Sequence, residues 1–138
     1  LEVIPWQQDE LVVFAAPSHP FAQKEQLNEA DFADAEWILR EAGSGTREIF
    51  DNAVIGRLPH LNVLLELGHT EAIQRVVASG LVIGCASRLS LSEALASKTL
   101  AILPTPFWNL TRQFFILIHR QKYHTYGLER FIEHCVST

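Results

Sequence analysis

The chain has 138 residues, 48% of them hydrophobic and 20% charged, and a net charge of −5. That length and composition fit one globular domain and exclude disorder of the whole chain, which needs low hydrophobicity with high net charge. An acidic chain with no stripe of Lys and Arg is a poor direct ligand for nucleic acid, and no run of about 18 uncharged apolar residues is present to span a membrane.

Leu1 to Trp6 carries neither the charged nor the apolar region of a signal peptide. Residues 11–15 are an apolar run of strand length, stopped by Pro17-Ser18-His19-Pro20, because proline cannot feed a strand ladder. A polar stretch, 23–34, follows, with Leu27 and Phe32 as its main apolar anchors. From Glu36 a regular alternation begins. It predicts a strand at 37–40, a Gly-rich loop at 43–46, and a helix over about 47–56 ended by Pro59. Next come a strand at 62–67 closed by Gly68 and a helix headed by His69 or Thr70. That helix carries Ile73, Val76 and Val77 on one face and stops at Gly80. An apolar strand at 81–86 leads to Ser90-x-x-Glu93, a capping-box pattern before Leu91, Ala94 and Leu95. A strand at 100–103 ends at Pro104 and Pro106. A long strand at 112–119 and a helix follow, the helix with Leu128, Phe131, Ile132, Cys135 and Val136 at i, i+3, i+4, i+7 and i+8.

Strand–helix repeated three times and then a strand argues an α/β fold, with a parallel sheet covered on both faces and right-handed crossovers. The pattern predicts one lobe over 36–105, with 1–35 and 106–138 as pieces of another. The sequence therefore reads as a truncated piece of a longer chain. Cys85, inside an apolar run, and Cys135, in an amphipathic stretch, read as separate buried thiols rather than a disulfide.

The strongest chemical signal is Glu41-Ala42-Gly43-Ser44-Gly45-Thr46-Arg47, which follows a strand and opens a helix. Unpaired first-turn N–H groups and the helix dipole favour an anion there, the glycines let it approach, and Ser44 and Thr46 add hydroxyls. The same residues also fit a plain glycine turn with Ser44 capping its own helix. It is neither a P-loop nor a dinucleotide turn, since Gly-Lys-Ser/Thr is absent and Glu48 stands where a third glycine belongs. His69-Thr70-Glu71 opens another helix, where a cap with a favourable first-turn Glu71 is a stronger reading than a ligand site. Ser87 lies at the end of the 81–86 strand. In open α/β sheets ligands bind outside the carboxyl ends of the strands, and Ser44, His69, Thr70 and Ser87 would share that edge. No His or Cys spacing supports a metal, no Gly-x-Ser-x-Gly elbow is present, and a Cys85–His69 thiol pair is a weaker reading than a structural cysteine. No catalytic residue and no cofactor are expected. Arg120, Lys122 and Arg130 read as a solvated basic face.

The order Leu11-Val12-Val13-Phe14, His19-Pro20-Phe21-Ala22, Trp37-Ile38-Leu39-Arg40 and Gly43-Ser44-Gly45-Thr46-Arg47 resembles the effector-binding domain of LysR-type transcriptional regulators. Leu67-Gly68-His69-Thr70-Glu71-Ala72-Ile73, then Val76-Val77-Ala78-Ser79-Gly80-Leu81-Val82-Ile83-Gly84, is similar to that family's second effector-domain helix and strand. The stretch Arg40 to Arg47 resembles the branch tied to sulfur assimilation. The resemblance implies a periplasmic-binding-protein-like fold of two Rossmann-like lobes, with 36–105 as the second lobe and crossover strands drawn from the flanks. It implies a small anionic effector, a sulfur oxyanion or a carboxylate, in an interlobe cleft at Gly43, Ser44, Gly45, Thr46, Arg47, His69, Thr70 and Ser87. It further implies a cytoplasmic homodimer or tetramer formed through effector domains, with DNA contacted only by an N-terminal domain and no membrane. A solute-binding protein of a transport system and a small enzyme using Cys85 or His69 are the alternatives. The anion reading requires the turn around Gly45 to be open to solvent.

Overall fold

The computed structural model describes residues 2–118. Its strands and helices are β1 (Glu2–Ala15), β2 (Glu36–Arg40), α1 (Gly45–Val54), β3 (Asn62–Leu67), α2 (Thr70–Val77), β4 (Ile83–Ser87), α3 (Ser92–Ala96), β5 (Ala101–Leu103) and β6 (Thr111–Ile118). Short 3₁₀ turns lie at Pro20–Gln23, Glu29–Ala33 and Leu89–Leu91. Two compact units are present, Glu10–Leu110 and Leu1–Asp9 with Thr111–Thr138. In the second, β6 pairs with β1. The predicted final helix, with Leu128, Phe131, Ile132, Cys135 and Val136, lies outside the described residues, as does the basic group Arg120, Lys122 and Arg130.

In the larger unit the strand order is β3-β2-β4-β1-β5. β2 runs parallel to β3 and β4, as the alternation predicts. The sheet is mostly parallel, and β1 is its exception, lying antiparallel between β4 and β5 with Leu11 opposite Ser87 and Val13 opposite Leu103. Its run Leu11 to Ala15 is buried on both faces, so its composition carries no mark of direction. The compact unit runs from Glu10 to Leu110 and contains the 36–105 alternation.

Period-two alternation divides the sheet between two cores. Leu11, Val13, Trp37, Leu39, Ile83 and Cys85 face one side with Phe50 and Val54 of α1. Val12, Phe14, Ile38 and Ala86 face the other with Ile73 and Val77 of α2. The 23–34 stretch joins the first core through Phe32, whose ring lies 5.6 Å from Phe21 and 5.2 Å from Trp108. β3 is the uncovered edge, with Leu64 and Leu65 half exposed.

Three local expectations are corrected. α1 starts at Gly45 and ends at Val54, short of Pro59, because Ser44 caps it early and the chain turns at Gly56 with φ +72°. β4 begins at Ile83 rather than Leu81, which stands exposed. The Ser90/Glu93 capping box does not form: Leu89–Leu91 make a 3₁₀ turn that buries Leu91, and the Ser90 carbonyl accepts from Gln74 Nε2 at 3.2 Å.

His19 is buried and caps the first 3₁₀ turn, its Nδ1 accepting from the Phe21 N–H at 3.0 Å. Burial lowers its pKa from the ordinary histidine value. The unfolded chain therefore takes up this proton first as pH falls. The corresponding stability is complete above about pH 6.5 and drains away below it. Melting temperature is expected to fall from pH 7 to pH 5.5, and to fall less in His19→Asn, which keeps an acceptor but does not titrate. An unchanged slope in that variant would show that His19 is not the titrating group.

Candidate functional site

Because β2, β3 and β4 are parallel neighbours, the turns that leave them lie along one sheet edge. These are 41–44 before α1, 68–69 before α2, and the chain just past Ser87. The edge thus gathers Ser44, His69, Thr70 and Ser87 as the sequence predicts. Leu11 stands opposite Ser87, so this part of β1 lies at the same edge.

Gly43 adopts φ +95°, a left-handed conformation that L side chains rarely take, and so turns β2 into α1. Both readings of this turn find support. Ser44 caps the helix, its Oγ accepting from the Arg47 N–H at 3.1 Å, and its carbonyl accepts from Glu48 N–H at 3.0 Å. The Gly45 and Thr46 amides, at the first two helical positions, have no acceptor among the described residues. Gly43 and Gly45 are exposed, and Ser44 and Thr46 half-buried, so the turn is open as the anion reading requires.

The Arg47 guanidinium is committed within the fold. It donates to Asp51 Oδ1 at 2.9 Å, to the Arg40 carbonyl at 3.0 Å and to Glu66. It thereby ties α1 to the ends of β2 and β3. Its pKa is raised by the Asp51 and Glu66 carboxylates against the opposing effect of desolvation.

His69 is the N-cap residue of α2, with no hydrogen bond from its side chain to the helix. With Thr70, Glu71, Gln74 and Ser90 it lines a cavity of about 510 Å³. Glu41 heads the sequence motif but has no role assigned to it there. Its carboxylate accepts from Arg40 Nε at 3.1 Å and Nη2 at 3.0 Å, and lies 3.8 Å from where a Cβ on Gly68 would stand. The Arg40 hydrogen bonds hold its pKa below the ordinary glutamate value, with a smaller contribution from His69.

Cys85 is fully buried in the first core and burial pushes its thiol up to about 12, so it cannot supply a thiolate to His69 at neutral pH. Among the described residues no group of three or more His, Cys, Asp or Glu could hold a metal ion, and no helix is long and apolar enough to cross a membrane.

The mixed sheet with helices on both faces, open at its carboxyl edge, defines an α/β module of the periplasmic-binding-protein-like type. The family model described as LysR substrate binding domain matches residues 1–138, and the chain belongs to that family. The uncharacterized HTH-type transcriptional regulator YeiE of Escherichia coli K12 is 44% identical over 131 residues, covering 95% of this chain and 44% of that protein. The HTH-type transcriptional regulator CysL of Bacillus subtilis is 26% identical over 113 residues, covering 82% and 38%. The regulatory domain of Synechocystis PCC6803 CcmR, solved in complex with 2-PG, superposes with a TM-score of 0.85 at 29% identity, covering 99% of this chain and 65% of that one. The chain thus spans less than half the length of these two curated relatives. Both of these relatives are named as transcriptional regulators.

Proposed function

We propose that this chain is the sensing part of a LysR-type transcriptional regulator and that it holds a small anionic effector, a sulfur oxyanion or a carboxylate, at the carboxyl edge of its sheet. The observation that carries this reading is the open turn at 43–46. There, unengaged amides and two hydroxyls head a ten-residue helix beside a second helix start at His69 and Thr70. Ser44, Gly45 and Thr46 supply the donors, with Gly43 shaping the approach and Arg47 bracing the turn through its two carboxylates. Thr70 and Ser87 border the same edge. The effector controls transcription by favouring one conformation over another, which it can do only to the extent that its affinities for the two differ. DNA is read by an N-terminal winged helix-turn-helix, and effector domains pair into a homodimer or tetramer in the cytoplasm.

The test is calorimetric titration of the full-length regulator with sulfate, sulfite, phosphate and 2-PG. At least one anion is expected to bind, and Ser44→Ala with Thr46→Ala to weaken it by about tenfold, the loss of hydrogen bonds to a charged group. Unaltered binding by the double variant removes the site assignment.

A further inference from the structure

An anion arriving at this edge meets a carboxylate already in place. Glu41 belongs by its backbone to the first turn, where its carbonyl accepts from the Ser44 N–H at 3.3 Å, yet its carboxylate lies against Gly68 of the second. Both carboxylate oxygens accept from the Arg40 guanidinium side by side, the fork geometry by which arginine recognises carboxylates and tetrahedral oxyanions.

Arg40 and Glu41 are consecutive residues, so their bridge joins no two elements, in contrast to Arg47, which links three. The Arg40 guanidinium has no other partner among the described residues. The pair is partly open, with side-chain exposures of 23% for Arg40 and 47% for Glu41.

Resting on the anion reading above, we infer that Arg40 is the charged recognition group of this edge and that Glu41 is its built-in counterion, displaced when an effector oxyanion takes the guanidinium. The free protein thus already holds a stand-in for its ligand. The guanidinium fork favours ligands presenting two oxygens on one centre over compact anions such as chloride. The neighbouring carboxylate weakens every such ligand by competing for the same donors, which sets the concentration at which the sensor responds.

The two residues should therefore act with opposite signs. In the same titrations of the full-length protein, Arg40→Gln is expected to weaken binding of the best anion by about tenfold, and Glu41→Gln to tighten it by about threefold. Arg40→Lys keeps the charge without the fork and should fall between wild type and Arg40→Gln. It also carries the test should Arg40→Gln fail to fold by circular dichroism. If Arg40→Lys and Glu41→Gln bind as wild type does while Ser44→Ala with Thr46→Ala still weakens binding, the counterion inference is overturned and the anion site stands. A shift of both residues' variants in one direction overturns it equally. If no anion binds any variant, Glu41→Gln included, the site reading and this inference fall together.

Discussion

Trp37→Ala is expected to cost about 3–5 kcal/mol of folding stability, the largest loss from any single truncation in this domain. Trp37 is completely buried on β2. Its ring centroid lies 4.9 Å from Phe50 of α1, 6.0 Å from Phe32 and 6.3 Å from Trp108, so one side chain joins the sheet, a helix and the chain before and after them. The indole Nε1–H also donates to the Phe32 carbonyl at 3.0 Å. Alanine would leave a cavity and an unpaired buried carbonyl together. Trp37→Phe, which keeps much of the apolar volume but not the donor, should lose clearly less. Urea denaturation of the full-length protein followed by far-UV circular dichroism measures both. A loss below about 1 kcal/mol for alanine would mean that the aromatic cluster collapses around the gap.

Gly84→Val should be the next most damaging change, at about 1–3 kcal/mol, and it reaches the candidate site. A Cβ at Gly84 would stand 3.0 Å from Ile73 Cγ2, Val77 Cγ2 and Phe14 Cζ. The first two belong to α2, so this glycine sets how closely the helix approaches β4. Valine would drive α2 outward and carry His69 and Thr70, at its head, away from the 43–46 turn. Both stability and anion affinity should therefore fall, and Gly84→Ala should do the same to a smaller degree. A variant as stable as wild type would show that α2 shifts at no cost.

Legibility followed locality. β2, β3, α2 and β5 lie close to where hydrophobic period and glycine stops predict, because their cues sit within a few residues of their ends. The sharing of one edge by Ser44, His69, Thr70 and Ser87 needs only that their strands be parallel, which the intervening helices imply. The direction of β1 was hidden, since a strand buried on both faces looks the same either way. So was the burial of 23–34: Phe32 is a lone anchor in sequence, and its partners Trp37, Phe107 and Trp108 declare themselves only in space. The glycine motif places Arg47 with the binding residues, but its carboxylate partner Glu66 is 19 residues away. Glu41 carries no role in the motif by itself, because an acidic residue beside an anion turn looks like an inconsistency until its bidentate partner is seen.

The ends of the larger unit are clasped together. The Leu11 N–H donates to the Leu110 carbonyl at 2.9 Å, and the Arg88 N–H donates to the Glu10 carbonyl at 2.9 Å. The two ends of the larger unit thus meet at the rim that carries Ser87. Entry and exit of this unit are therefore fastened beside one another, and a rearrangement of that rim bears on both chain ends at once.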